Sequence, residues 1–314
     1  MAEYVAIDVG GTKIALGIGD EQGNFRARTV LATNPAWAPD IVSDNIAAAV
    51  RDLAKSAQID LGSMTGIGLG SPGPLDGSIL LDTSNLHGWK GLDWRTGLEG
   101  RLNLPVAVQN DATAAGLGEW LYGAGRGTQH CVYVTVSTGI GAGIIVDGIL
   151  DRGSRGNAGE FGHIVLRPEG PECPAGHRGC LESLASGTAI AREGQRRQQE
   201  SDFLKEVPTV DTKAVFAGYE AGDAVATAII EQAADWLGLG LSYLINLFNP
   251  EMIILGGGVA THASAAYRDR VWSKAQARSL KALSQVVQLV PAQLGQESGL
   301  MGALAVAVMA SSSD

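Results

Sequence analysis

Residues 8 to 13 read DVGGTK, which puts a carboxylate, two glycines, a hydroxyl and an ammonium within one short stretch after a run of strand-formers. Gly10 and Gly11 lack Cβ, so their backbone N–H groups can approach an anion closely, and the Thr12 hydroxyl adds a donor. Asp8 is the odd member. A carboxylate beside phosphates makes sense when a cation, most simply Mg²⁺ with its waters, lies between them. Lys13 neutralises remaining charge or pairs with a structural acid. A second glycine turn, STGIGAG (137–143), carries Thr138, Gly139 and Gly141, and a third, LGGGVA (255–260), carries Gly256, Gly257 and Gly258. Each follows a strand-like run. Three such loops suit one nucleotide, with two phosphate grips and one flat backbone surface against base and ribose; the competing reading is three structural turns. No Walker A motif and no dinucleotide-binding fingerprint occurs.

A second set of residues is polar. QNDA (109–112) places Asp111 where a buried strand gives way to a helix. A carboxylate there stays ionised beside the helix N-terminus and could accept a hydroxyl proton as the oxygen attacks phosphorus. The plainer alternative makes Asp111 an N-cap. GEFGH (159–163) and GCLES (179–183) add Glu160, His163 and Glu182. With Asn110 and Asp111 they offer the planar donors and acceptors that grip vicinal hydroxyls of a sugar. SPGP (71–74) adds a rigid loop with the Gly73 N–H available.

The elements that must position these groups can be read from periodicity. YVAIDVGGTKIALGIGD (4–20) reads as two strands around a glycine turn, and CVYVTVSTGIGAGIIVDGIL (131–150) repeats the pattern, with Asp147-Gly148 supplying a hairpin turn. Two copies of one hairpin predict two related α/β lobes facing a cleft; two unrelated hairpins are the alternative. A helix is predicted over 40–58, with Ile46, Val50, Leu53 and Ala57 on one face. Another runs through 222–248, with Ala226, Ile230, Ala233, Leu237, Leu241 and Leu244 on one stripe and Gly238 and Gly240 permitting close packing. The apolar stretch 300–310 predicts a buried helix returning to the N-terminal lobe, too short to span a bilayer.

Composition narrows the classes further. The 314 residues exceed what one core usually holds and suggest two lobes. A hydrophobic fraction of 45% with 18% charged residues excludes a disordered chain, and a net charge of −10 disfavours nucleic acid as the main partner. Three cysteines, Cys131, Cys173 and Cys180, are too few for a disulfide framework and suit a reducing compartment. With no signal-peptide pattern at the N-terminus, the expected location is cytoplasmic.

The motifs DVGGTK, SPGP, TSNLHGW, QNDATAAGLGE, STGIGAG, GEFGH, CPAGHRGCLE and LGGGVA stand in the order found in the ROK family (repressor, open reading frame, kinase), and the resemblance covers nearly the whole chain. It resembles the bacterial glucokinases of that family most. The resemblance implies a two-lobed actin-like, ribonuclease-H-like ATPase fold, with an N-terminal lobe of 1–110 plus a C-terminal helix at about 297–314, and a C-terminal lobe of 111–296. It implies that Asp8, Gly10, Gly11, Thr12 and Lys13 form the first phosphate loop, that Thr138, Gly139 and Gly141 form the second, and that Gly256, Gly257 and Gly258 lie near adenosine. Asp111 matches the catalytic base. Gly73, Asn85, Asn110, Glu160, His163 and Glu182 match sugar-contacting positions. ATP with Mg²⁺ is the implied donor, although polyphosphate or ADP would suit the same loops, and glucose is the expected acceptor among several hexoses. A homodimer or homotetramer is expected.

One departure concerns zinc. The family's site usually reads CxCGxxGC with a histidine upstream, and here Ala175 stands where the middle cysteine belongs. His163, Cys173 and Cys180 remain, a tetrahedral structural zinc wants four ligands, and His177 is the candidate fourth. The alternative is a metal-free loop with two free thiols. Two other functional classes compete with the kinase. A sugar-sensing regulator of the same family carries a helix-turn-helix before the first hairpin, whereas seven residues precede Asp8 in this sequence. A partner-driven ATPase of the same fold would not need the polar set at 110, 160, 163 and 182.

Overall fold

The computed structural model describes residues 2–81, 86–173 and 175–312. Its contacts divide the chain into two units: Met1–Gly127 with Gly143–Gly159 and Gln293–Asp314, and Thr128–Ala142 with Glu160–Ala292.

In the first unit, β1 (Glu3–Val9), β2 (Lys13–Asp20) and β3 (Phe25–Ala32) form an antiparallel meander. Helix α1 (Pro39–Ser56) crosses to β4 (Gly66–Ser71), burying Ile46, Val50 and Leu53 of the face read from the sequence together with Val42, while Ala57 falls just past the helix end and is half-buried. A small hairpin, β5 (Leu75–Asp76) and β6 (Ile79–Leu80), and helix α2 (Trp94–Leu102) lead to β7 (Val106–Asn110) and then to α3 (Asp111–Tyr122). The five-stranded sheet has the order β3-β2-β1-β4-β7, with β1, β4 and β7 parallel. Register decides where the chemistry lies: Asp8 pairs with Gly70, and Ser71 pairs with Asn110. The acids of the first and second motifs thus emerge at the carboxyl ends of β1 and β7, the parallel strands on either side of β4, where open α/β sheets place ligand sites.

The C-terminal helix, Ser298–Ser311, is buried on nearly every face and packs against α3, β4 and β1. Small residues make that approach possible. A Cβ on Gly68 would lie 2.5 Å from the Ala307 nitrogen, and one on Gly118 would lie 2.8 Å from the Gly302 nitrogen. This packing draws α3 into the first unit, whereas the boundary expected from the sequence fell just before it, at residue 110.

The second sheet is built from β8 (Cys131–Val136), β9 (Ile140–Val146), β10 (Ile149–Leu150), and, after helices α4 (Leu181–Ala185), α5 (Gly187–Arg196), α6 (Thr212–Glu220) and α7 (Ala224–Phe248), from β11 (Met252–Gly256). Helices α8 (Gly257–His262), α9 (Ala265–Arg278) and α10 (Lys281–Ser284) precede its last strand, β12 (Gln288–Pro291). The order β10-β9-β8-β11-β12 repeats the first sheet strand for strand, which is the duplication inferred from the two hairpins. Asp147 (φ 53°) and Gly148 (φ 70°) make the tight β9–β10 turn. Helix α7 buries the predicted stripe, and a Cβ on Gly238 would lie 2.6 Å from the Val271 oxygen, so that glycine admits α9 to near-backbone contact. Among the described residues, no helix is long and apolar enough to cross a membrane.

Candidate active site

Within the first unit the β1–β2 turn is shaped from below. Gly10 N–H donates to the Lys13 carbonyl (2.9 Å), the Thr33 hydroxyl donates to the Gly10 carbonyl (2.7 Å), and Thr33 N–H donates to the Thr12 carbonyl (3.1 Å). The amides of Gly11 and Thr12 have no hydrogen-bond partner among the described residues, and both residues are exposed with Lys13. That arrangement can receive an anion.

Asp8 sits under this turn. Burial raises its carboxyl above the ordinary carboxylate range, and the Lys13 ammonium counters part of that shift. A carboxylate so placed is short of positive charge, which fits a hydrated divalent cation better than a structural ion pair. The first turn of the C-terminal helix closes over it, so that a Cβ on Gly299 would fall 2.6 Å from Asp8 Cγ. Gly70 lies between the acids: a Cβ there would meet Asp8 Oδ1 at 3.8 Å and Asp111 Cα at 3.9 Å.

Helix α3 separates two roles that the sequence left together. Asn110 is its N-cap, with Oδ1 accepting from Ala112 N–H (3.0 Å) and Thr113 N–H (3.3 Å). Capping therefore belongs to Asn110, and Asp111 is the exposed first residue of the helix, with Oδ1 2.7 Å from Ala112 N–H. Asn110 Nδ2 lies 2.9 Å from the position of a Gly73 Cβ, so the SPGP loop and the start of α3 meet. The Asn157 carboxamide clasps the same loop, donating to the Leu75 carbonyl (2.7 Å) and accepting from Leu75 N–H (3.2 Å). Asn85 lies outside the described residues.

The second unit gathers the remaining candidates. Thr138 and Gly139 form the turn between β8 and β9, while Gly141 is already within β9. Gly256 ends β11 and caps α8, which Gly257 and Gly258 begin. Gly257 adopts φ 85°, and a Cβ there would meet the Val136 nitrogen at 2.6 Å, so only glycine lets this loop lie against β8. A Cβ on Gly258 would be 3.7 Å from Ser137 Oγ, which brings the second and third glycine turns side by side. Glu160 and Glu182 share the neighbourhood of His163. Burial raises the Glu160 carboxyl, with His163 lowering it and the Glu182 charge adding to the rise. His163 Nε2 stands 3.7 Å from Glu160 Oε2. Glu182 Oε2 also accepts Ile140 N–H at 2.9 Å, a link to the glycine turn that its place in GCLES did not reveal.

The cysteine loop is a small hairpin. Glu172 bridges to Arg178, and Cys173 N–H donates to the His177 carbonyl (2.6 Å). That register puts His177 opposite Cys173. The ligand atoms of His163, Cys173, His177 and Cys180 all lie within 4.8 Å of one another, and His163 Nδ1 is 3.4 Å from Cys173 Sγ. Zn–N and Zn–S bonds of about 2.0–2.3 Å give tetrahedral donor separations of roughly 3.5 Å, so the four donors fit one zinc ion after slight contraction. His177 Nε2–H donates to the His163 carbonyl (3.0 Å), the outer contact that orients metal-binding imidazoles. Burial and the Cys180 thiol push the Cys173 thiol up to about 12, so without a cation it is protonated.

One acid of the first unit escaped the sequence reading. Glu119, 0% exposed, accepts Leu294 N–H on Oε1 (2.8 Å) and Ala124 N–H (3.0 Å) and Gln293 N–H (3.1 Å) on Oε2. It fixes the end of α3 to the segment leading into the C-terminal helix. A glutamate inside the small-residue run GLGE was the available signal.

The ROK family model matches residues 4–310. A glucokinase of Halalkalibacterium halodurans is 34% identical over 95% of this chain and 93% of its own length. A ROK hexokinase from Thermus thermophilus superposes with a TM-score of 0.89 at 36% identity, covering 99% of this chain and all of that one. A ROK glucokinase from Streptomyces griseus, solved with glucose and AMPPNP, superposes with a TM-score of 0.79 at 33% identity over 96% of this chain and 98% of that one. The duplicated sheets and these likenesses give the actin-like, ribonuclease-H-like ATPase fold. With a family model spanning almost every residue and relatives above 30% identity at full length, the chain belongs to the ROK family.

Proposed function

We propose that this chain is an ATP-dependent hexose kinase that transfers the γ-phosphoryl group to the 6-hydroxyl of glucose. The observation that carries the reading is the start of α3, where Asn110 takes the capping role and Asp111 stands as the neighbour of Asp8 across Gly70. The glucokinase and hexokinase relatives, one of them solved with glucose and a nucleotide analogue, support the same acceptor and donor.

In this reading Asp111 accepts the proton of the sugar hydroxyl as its oxygen attacks phosphorus in line. Gly73, Asn110, Glu160, His163 and Glu182 hold the remaining hydroxyls; Asn85 lies outside the described residues. The amides of Gly11 and Thr12 and those of the Thr138–Gly139 turn receive phosphate oxygens, with Gly10, Lys13 and Gly141 completing these loops, while Gly256, Gly257 and Gly258 offer a backbone surface to adenosine. Magnesium held through water by Asp8 supplies charge neutralisation on the phosphates. A structural zinc held by His163, Cys173, His177 and Cys180 would set the ring of His163, and through it Glu160, in place. Three free cysteines accord with a reducing cytoplasm, and kinship favours a homodimer.

The test is a panel of hexoses with ATP and Mg²⁺, compared by kcat/KM. Glucose should give the highest value, with glucose 6-phosphate as product. If no hexose accelerates ADP release from ATP, the proposal is wrong; if another hexose leads, the acceptor assignment is wrong.

A further inference from the structure

The glycine turn between β8 and β9 is held by one short segment, residues 182–188. Gly187 N–H donates to the Ser137 carbonyl at 2.8 Å. The Thr188 hydroxyl donates to the Thr138 carbonyl at 2.8 Å, with Thr188 N–H behind it at 3.4 Å. The Gly139 carbonyl accepts Ser137 N–H (2.9 Å), and Glu182 Oε2 takes Ile140 N–H (2.9 Å). Each carbonyl of the turn is thus occupied, whereas the N–H groups of Thr138 and Gly139 have no partner among the described residues.

The trans peptide plane makes this more than tethering. A carbonyl and the following N–H share one rigid plane and point in opposite directions, so holding the carbonyl aims the N–H. Gly187 aims Thr138 N–H by holding the Ser137 carbonyl, and Thr188 aims Gly139 N–H by holding the Thr138 carbonyl. Of these two holders, Thr188 alone does it through a side chain. It is exposed, at the start of α5, and Ser186 caps that helix by accepting Ala189 N–H (3.1 Å). Nothing in the capping of α5 therefore calls for the Thr188 hydroxyl.

We propose that Thr188 is a positioning residue for the phosphoryl donor: its hydroxyl fixes the Thr138–Gly139 peptide plane so that Gly139 N–H faces a phosphate oxygen of the nucleotide. The proposal rests on the reading of this turn as the second phosphate grip. Thr188→Val keeps shape and β-branching and removes the donor; Thr188→Ser restores it. Thr188→Val should weaken ADP–Mg²⁺ binding, measured by calorimetry, and raise KM for ATP roughly fivefold, the worth of one hydrogen bond. KM for glucose should stay unchanged, and Thr188→Ser should return the nucleotide values to those of the unmodified protein.

Unchanged ADP affinity in Thr188→Val, or equal losses for nucleotide and sugar, would overturn the assignment. Because ADP binding is read without turnover, an unmodified protein that binds ADP yet phosphorylates no hexose would count against the kinase reading alone.

Discussion

Gly299→Ala tests the position of Asp8 without replacing any residue assigned to a ligand. Gly299 is the second residue of the C-terminal helix, where alanine should gain about 0.5–1 kcal/mol of helix stability. The new methyl group would stand 2.6 Å from Asp8 Cγ and 2.8 Å from Oδ1, against ordinary contact beginning at 3.4 Å. To relieve that contact the carboxylate must give way by roughly 1 Å, a displacement that can cost about 10²-fold in rate. The expected outcome is a kcat about 100-fold lower in steady-state kinetics with ATP and glucose, KM for glucose within a factor of two, and an unchanged or higher Tm. A variant with the kcat of the unmodified protein would refute the argument that the C-terminal helix sets the carboxylate's position. Lost turnover together with a lowered Tm would instead point to a disturbed helix–sheet contact.

Asp8→Asn should abolish turnover yet stabilise the unliganded protein by about 1 kcal/mol, because a desolvated carboxylate whose charge Lys13 offsets only in part is removed. Burial raises the Asp8 carboxyl, so its contribution to stability is fully present below the ordinary value near 3.8 and is lost as pH rises through the folded value. The Tm advantage of Asp8→Asn should accordingly close as pH falls into the acid range, and a pH-independent gap would count against this sign. Metal analysis of purified protein should find about one zinc per chain, and cobalt substitution should give a tetrahedral visible spectrum that His177→Ala alters; less than a tenth of an equivalent of zinc ends that part of the account. Glu119→Gln turns an amide donor toward backbone N–H groups and should destabilise the fold by about 3 kcal/mol, read as a lowered Tm, whereas an unaltered Tm would show the three contacts to be weak.

The duplicated hairpin was legible because it is local: two β-branched runs around glycines announce themselves at a spacing of a few residues. Asp8 and Asp111 stood out as candidates for the same reason, each being an acid out of place at a strand end. What escaped the sequence depended on register. The pairing of Asp8 with Gly70 sets the two acids on either side of one glycine, and no spacing of 103 positions reveals it. The Cys173–His177 pairing that brings a second histidine to the thiols depends on a bridge between Glu172 and Arg178, so it was open only as a candidate ligand. Glu182 looked like a sugar ligand alone because its bond to Ile140 spans 42 positions. The boundary after residue 110 came from the end of a strand, whereas α3 is claimed by glycine-to-glycine packing with a helix nearly 200 residues later.

The most direct measurement is the turnover of Asp111→Asn with saturating glucose and ATP, alongside the glucose affinity of the same variant. The account predicts a kcat lower by about 10²–10⁴-fold, the usual worth of a general base, with glucose affinity changed less than about threefold. A variant that turns over at close to the unmodified rate would contradict it.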